Sequence, residues 1–573
     1  MALKLSGFCR SLLPIFVFVN SAMGQDMRQD TLLNILVSEL ERETEQFKSA
    51  SIPPYYIDYR LEELQYARVK AAFGSVVLSQ QDRNRLATAR VKVGDYQIDN
   101  THPLANSDFF NEQGRFGVSA VIPIENDKLA IQFALWRSTQ AEYKQALEAY
   151  KGIRNSLSER PDLRANIKTT DFSKETPTQH FEAPGPSLSS TFNKQNWESK
   201  LIAYSQLFLN NNDLISGEVE LQVNHERQYF VSSEGTRVVQ NQNYAYLMVS
   251  ASIRGSDGDI IPLHKSYFAF QPSGLPSDDT IMADINSMIA RLAQLKDAPL
   301  AEPYTGPAIL DGQAAGVFFH EIFGHRVEGH RLKDEIDAQT FKGKLNEQVL
   351  PRDINVVFDP TMRELDGQEL NGYFKFDDEG IRGQRVNVVQ KGVLKTFLMS
   401  RAPLESVRQS NGHGRAAVGH EAVSRQSNLL VETQKAVTEE ELRQLLIQEC
   451  KKQGKSYGYF FKDVVGGFTF TNRFTPNAFN IFPTEVYRIY VDGRPDELVR
   501  GVDLIGTPLA MFAEIMAAGK DRKTFIGFCG AESGYVPVSA TSPSLFVRRI
   551  ETQKKPKAHQ ESPLIARPTQ KIH

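Results

Sequence analysis

The sequence predicts an α+β protein built as two mixed halves, N-terminal helices with an antiparallel sheet and then a β-rich domain. Three observations lead there. At 573 residues the chain exceeds one ordinary core. Long helical periodicities are interspersed with β-runs in no regular strand–helix alternation. The texture changes after Pro303, where β-runs come to dominate. The split falls near residue 300.

The N-terminus has the layout of a secretory signal peptide over residues 1–24. Lys4 and Arg10 precede a short apolar run, and Ala22 and Gly24 occupy the −3 and −1 positions of a cut before Gln25. The run is short for a bilayer span, and an uncleaved anchor is the alternative. No later stretch could span, so the expected mature protein is extracytoplasmic, periplasmic, and without an integral membrane segment. Residues 25–300 read as the N-terminal domain. It opens with a helix from 26 to about 50, stopped by Pro53-Pro54. Short β-rich runs follow over 55–125. A long amphipathic helix runs from Asp127 to about Ser156, with Leu129, Phe133, Trp136, Tyr143, Leu147 and Tyr150 as its core stripe. The polar stretch 168–190 reads as a loop or linker. A helix over 193–210, a hairpin with Val219, Leu221 and Val223 on one face, a meander through the Gly255–Gly258 turn and a helix over 278–297 complete this half.

Residues 301–551 form the second domain. One helix over 438–453 interrupts its strands, opened by the capping-box pair Thr438 and Glu441. Residues 552–573 read as a disordered basic tail. Hydrophobic content of 41% and charged content of 24% are those of a soluble globular chain. The net charge of −3 gives no reason to expect a nucleic-acid partner. Three cysteines occur and Cys9 lies in the leader, so Cys450 and Cys529 remain. In an oxidising compartment they read first as one disulfide.

The chemistry concentrates in GVFFHEIFGHRVEGHR, residues 316–331. His320-Glu321 and His325 resemble the H-E-x-x-H zinc helix with one extra residue. Residues five apart on an ideal helix diverge by about 140°. A π-type turn, eased by Gly324, would bring the histidines together. A catalytic zinc takes three protein ligands. Glu328 and His330 are the local candidates for the third and Cys529 the distant one. Glu321 sits where a zinc peptidase keeps its proton acceptor; the bland alternative is a surface salt bridge with Arg326 or Arg331. The acidic triplet Asp377, Asp378, Glu379 lacks the spacing of a calcium loop and reads as a solvated turn or a support for the site.

Several ordered motifs resemble the TldD/PmbA metallopeptidases. They are His320-Glu321-x-x-x-His325 with Glu328-Gly329; Phe376-Asp377-Asp378-Glu379-Gly380 with Gly392-Val393-Leu394; Gly412-His413-Gly414-Arg415; Arg500-Gly501 with Leu504-Ile505-Gly506; and Cys529-Gly530 with Gly534 and Val536-Pro537-Val538. The chain departs from the pattern in its leader, in Tyr535 where the family has Gln, in the extra His330, and in SATSPSL after Val538. The resemblance implies one zinc ion per chain, held by His320, His325 and Cys529, with Glu321 as catalytic acid/base and Cys450 left as a free thiol. It implies a peptidase acting on unstructured peptides or unfolded protein segments, bound in extended form, with Gly466, Gly467, Gly534, Tyr535 and Val536 as candidate substrate contacts. It also implies a homodimer, or a heterodimer with a TldE/PmbA-like chain. The rivals are a non-catalytic peptide-binding subunit or scaffold of the same family, and a disulfide-closed secreted protein without metal.

Overall fold

In the N-terminal half, polar residues within strands set the plan as much as apolar ones do. The computed structural model describes residues 27–103, 118–160, 162, 167–333, 339–471, 479–556 and 568. The leader and nearly all of the C-terminal tail lie outside the described residues. Helix α1 (Thr31–Phe47) starts on Asp30, whose carboxylate accepts the Leu33 N–H at 2.9 Å. The β-runs expected to be short are two 19-residue strands, β1 (Pro54–Ala72) and β2 (Ser75–Val93), joined by a tight turn at Phe73-Gly74. Their polar middles look like turns in sequence. Cross-strand ion pairs such as Arg83–Glu63 (2.9 Å) and Arg85–Glu63 (2.5 Å) keep them in the sheet.

Strand β3 (Val118–Val121) lines the far edge of β2. Helix α2 (Lys128–Glu159) follows, capped by Asp127. Its expected core stripe is corrected at one end: Leu129 is 76% exposed, Phe133 57%, and Trp136 faces outward as well. Ile131, Leu135, Ala146, Ile153 and Leu157 turn inward instead, with Thr139, whose hydroxyl meets the buried Tyr59 hydroxyl at 2.8 Å. A buried hydrogen bond thus takes part in choosing the packed face, which side-chain size alone does not reveal. The stretch 168–190 is largely loop, as expected, but not a slack linker. It buries Asp171, Phe172 and Ser173 and carries β4 (Gln179–Phe181). The Arg401 guanidinium lies 3.9 Å from the centre of the Phe172 ring and donates to the Ser173 carbonyl at 2.6 Å.

Helix α3 (Lys194–Gln206), strands β5 (Leu214–Ser232), β6 (Arg237–Arg254) and β7 (Ile260–Ala269), and helix α4 (Asp278–Asp297) complete this half. The sheet order is β3-β2-β1-β5-β6, with β4 and β7 both on β6. Val219, Leu221 and Val223 are buried with residues of α3 and α4. The opposite face carries Arg60, Glu62, Arg90, Gln240 and Tyr244 and turns toward the C-terminal half: Gln240 Nε2 donates to the Phe376 carbonyl at 2.9 Å, and Arg60 to that of Ala417 at 2.7 Å.

The second half runs β8 (Thr305–Leu310), α5 (Gly312–Ile322), β9 (Ile354–Phe358), β10 (Val386–Gln390), β11 (Asn428–Thr433), α6 (Glu439–Lys452), β12 (Tyr457–Thr469), β13 (Phe479–Tyr490), β14 (Val502–Gly506), β15 (Ile515–Ala531) and β16 (Gly534–Lys554). Two- and three-residue strands in this half are left unnumbered. Thr438 and Glu441 form the expected capping box of α6. β16 continues three residues past the boundary expected at 551. It pairs with β14 at one end and β8 on its other edge, and β12 and β13 link those two, so five strands close a circuit. Helix α5 packs against β16, β12 and β15 and is buried on every side, as suits a helix that is apolar all round. Its glycines make that possible: a Cβ on Gly312 would stand 2.6 Å from the Ser542 carbonyl oxygen, and one on Gly316 2.5 Å from that of Ala540.

The acidic triplet is a buried bracket rather than a solvated turn. Asp377 accepts the N–H groups of Glu379, Ile381 and Gly414 at 3.0, 2.9 and 2.8 Å, and Asp378 that of Ala416 at 2.9 Å. Glu379 accepts from Arg90 Nη1 at 2.7 Å and from the Arg401 N–H at 2.6 Å. Backbone donors that no sequence pattern reveals hold these carboxylates inside. Within the bracket His413 is fully buried, with Nε2 3.0 Å from the Ser427 hydroxyl. Burial first, and the nearby Arg415 charge with it, hold its pKa down at about 3.

Gly316→Ala should destabilise the protein by about 1–3 kcal/mol, since the clash is with backbone; denaturant unfolding measures it. His413 generates a pH prediction. Its folded pKa lies below the unfolded value of about 6.5, so between the two the unfolded chain binds more protons and stability falls as pH falls. The slope is about 1.4 kcal/mol per pH unit. His413→Gln should make the loss of stability between pH 6 and 4 shallower by that amount, measured by unfolding in the presence of chelator.

Candidate metal centre

The two histidines meet because the helix stops between them, not because it widens. Helix α5 ends at Ile322, with the last helical bond from the Phe323 N–H to the Phe319 carbonyl at 3.0 Å. Gly324–Arg326 form a 3₁₀ turn, which corrects the expected π-type turn. Side chains take the carbonyls that the next turn would have used. Arg326 Nη1 donates to those of Glu321 and Ile322 at 2.9 and 3.1 Å, and Gln426 Nε2 to that of His320 at 3.2 Å. Gly324 is needed for a reason other than winding: a Cβ there would lie 1.9 Å from Gln426 Oε1. The chain folds back, and the rings of His320 and His325 stand 5.1 Å apart, at 80° to one another.

Cys529 arrives on β15, the first strand of the hairpin β15–β16, with its Sγ 3.4 Å from His325 Nε2. The candidate ligand atoms of His320, His325 and Cys529 all lie within 4.8 Å of one another, and all three residues are buried. The set fits a zinc ion by donor chemistry, two imidazoles and a thiolate. It also fits by its support: Glu328 Oε2 takes His325 Nδ1 at 3.1 Å, which leaves Nε2 facing the cysteine.

Electrostatics favour a Cys529 thiolate paired with a protonated His325, and an ion that binds must displace that proton. Burial pushes the Cys529 thiol up, but the charges of His325, Arg425 and His320 outweigh it and hold the thiol well below its ordinary value. Burial works against protonated His325, yet Cys529 and Glu328 raise it well above the usual imidazole range. Glu328 is held down at about 2, against the cost of burial, by His325 and Arg331. Glu321 is raised, first by burial. Its carboxylate lies 3.9 Å from His325 Nε2.

The other candidates fall into place around this cluster. Glu321 is buried rather than on the surface; Arg326 serves backbone carbonyls, and Arg331 pairs with Glu328 and Glu532 at 2.8 and 2.7 Å. Glu328 supports His325. His330 is half-buried, paired with Glu532 and outside the three-residue cluster. Gly467 lies over Glu321, where a Cβ would come within 3.0 Å of Glu321 Cγ. Gly466 has φ +151 and open space where a side chain would be. Gly534 lies at the hairpin turn against Ala417 and His420, and Tyr535 is 73% exposed. Val536 is the cross-strand neighbour of Cys529 and is buried with it and Val538, so its side chain is a packing partner of the ligand strand rather than part of a groove. Cys450 and Cys529 are both free, in separate clusters, and no disulfide joins them.

Sequence reading missed Arg425 and Gln426, and gave Arg326 only as a surface salt-bridge partner. Arg425 is fully buried and donates to the Cys529 carbonyl at 2.6 Å. In sequence it lies in the polar run Ser424–Ser427, and no spacing rule connects it to residue 529.

Residues 303–554 match the PmbA/TldA metallopeptidase C-terminal domain. A metalloprotease of Archaeoglobus fulgidus is 32% identical over 240 residues, 42% of this chain and 51% of the relative. A metalloprotease of Methanocaldococcus jannaschii is 26% identical over 319 residues, 54% and 64% respectively. A zinc metalloprotease TldD homolog of Saccharolobus solfataricus is 26% identical over 276 residues, 47% and 57%. The matches thus span about half to two thirds of those relatives' lengths. The crystal structure of TldE from Thermococcus kodakarensis has the same fold, with a TM-score of 0.59 at 12% identity, over 90% of this chain and all of that one. Residues 303–554 thus carry the C-terminal domain of the PmbA/TldA metallopeptidases, and the chain as a whole has the fold of TldE.

Proposed function

We propose that the protein is a zinc-dependent peptidase that hydrolyses peptide bonds in unstructured peptides or unfolded protein segments. One observation carries the reading: a buried carboxylate, Glu321, stands beside the convergent His320, His325 and Cys529. The chemistry that such an ion supplies when bound is polarisation of a carbonyl and acidification of water. Glu321 takes the proton of the attacking water and passes it to the leaving amine. Burial raises its proton affinity, so that it can both accept and return a proton. Arg326 holds the helix end that carries it, and Gly467 leaves room for its side chain.

Substrate enters as an extended strand. Strand β12 pairs with β13 along its length but with β8 only at residues 459–461. Among the described residues no strand occupies its other edge at 463–468, beside Gly467 and Glu321. An added strand there would be held by main-chain hydrogen bonds that read little sequence. We infer a dimer, with itself or with a TldE/PmbA-like chain, as the ordered motifs imply. The layout of residues 1–24 supports a periplasmic location.

The purified protein should carry close to one zinc per chain, and Cys529→Ser should lose most of it, as read by metal analysis with thiol titration alongside. A metal-free protein whose Cys450 and Cys529 both resist thiol reagents under denaturation would overturn the reading. Glu321→Gln should keep its zinc and its peptide binding while cleavage of an unfolded polypeptide falls roughly 10²–10⁴-fold. Undiminished cleavage would remove Glu321 from the mechanism.

A further inference from the structure

We infer that Arg425 is a positioning residue for the metal centre, a single guanidinium that sets Cys529 and His325 in register before any ion arrives. The inference rests on the reading that His320, His325 and Cys529 hold a metal. His325 and Cys529 come from segments 204 residues apart. Something other than chain connectivity must bring them together.

Arg425 spans the gap. On one side Nη2 donates to the Cys529 carbonyl at 2.6 Å, and Nη1 to the Ser533 hydroxyl and the Gly534 carbonyl at 2.7 and 3.0 Å. These three bonds grip both strands of the hairpin that carries Cys529. On the other side Nε faces Glu328 Oε1 at 3.6 Å. Both atoms are buried, and neither has a hydrogen-bond partner among the described residues. The second oxygen of the same carboxylate takes His325 Nδ1 at 3.1 Å and Arg331 Nε at 2.8 Å. One carboxylate therefore orients His325 with one oxygen and meets the hairpin's guanidinium with the other.

Only a planar fork with several donors can do both. A lysine ammonium has no such geometry. The cost of burying the guanidinium is offset because Glu328 and three acceptors surround it. A second strut, from Arg331 and His330 to Glu532 at the hairpin turn, bears on the same hairpin but does not touch the residue that supplies the thiol. Arg425 holds that residue by its carbonyl. Preorganising ligands in this way raises affinity by removing the ordering cost from the binding step.

The test is cobalt(II) titration of the metal-free, full-length protein. Affinity is read by competition with a chelator, and ligation by the thiolate-to-cobalt charge-transfer absorption. Arg425→Gln and Glu328→Gln should each weaken cobalt binding about 10–100-fold, the usual scale for groups that support metal ligands. The charge-transfer band of Arg425→Gln should be weaker or displaced, while circular dichroism of the metal-free variants keeps the folded signature. A folded Arg425→Gln with wild-type affinity and an unchanged band overturns the inference. If that variant does not fold, Arg425→Lys, which keeps the charge but not the fork, decides: wild-type affinity overturns the inference, and a loss in the stated range supports it. Wild-type protein that takes up no cobalt, or a Cys529→Ser variant that keeps the band, defeats the metal reading itself and this inference with it.

Discussion

The site depends on where one helix ends. Had α5 run one turn further, His325 would point away from His320 and both would be lost to a common ion. The helix ends because Arg326 and Gln426 satisfy carbonyls that another turn would have bonded. Gln426 reaches its carbonyl only because residue 324 has no side chain. The helix is held in place by the close approach of Gly312 and Gly316 to the backbone of β16. That same strand forms the hairpin with the cysteine-bearing β15. The two parts of the candidate site are therefore registered against one piece of backbone.

The buried charges around the cluster follow a second rule. Each carboxylate or thiolate has a cation within reach: Glu328 has His325, Arg331 and Arg425, and Cys529 has His325 and Arg425 close by. Unpaired, such groups would be costly in this interior. Glu321 is the least well compensated. It leans on the two histidines, and burial dominates its behaviour. A carboxylate whose neighbours are also the candidate ligands is one whose proton affinity responds to what those ligands hold.

Much of the plan was legible in the chain. The helix over 278–297, the capping box at Thr438 and the buried face of Val219, Leu221 and Val223 follow from local periodicity and local chemistry, and the structure places them there. The convergence of His320, His325 and Cys529 was legible only through ordered motifs, because nothing local connects residues 325 and 529. What failed shares one cause. The long strands β1 and β2, the inward face of α2, the packed strap at 171–173 and the buried Asp377–Glu379 bracket all depend on polar partners far along the chain. Arg401 under Phe172 and Arg90 on Glu379 are examples. Patterns of apolar residues do not report such partners. The helix end between the histidines failed for the same reason, since Gln426 lies about a hundred residues away.

Neighbouring residues on β15 look in opposite directions. Cys529 faces the histidines, and Phe528 packs against Tyr244 and Tyr246 of the N-terminal sheet, ring centres 5.9 and 5.7 Å away. One peptide bond separates the candidate ligand from the contact between the two halves. The C-terminal half, although it holds all three candidate ligands, is thus not a portable cassette. Severed near residue 300 or grafted onto another scaffold, it would lose the aromatic wall that steadies the back of its own ligand strand. Sequence drift in the first half can then tune the centre in the second without touching any residue that faces it.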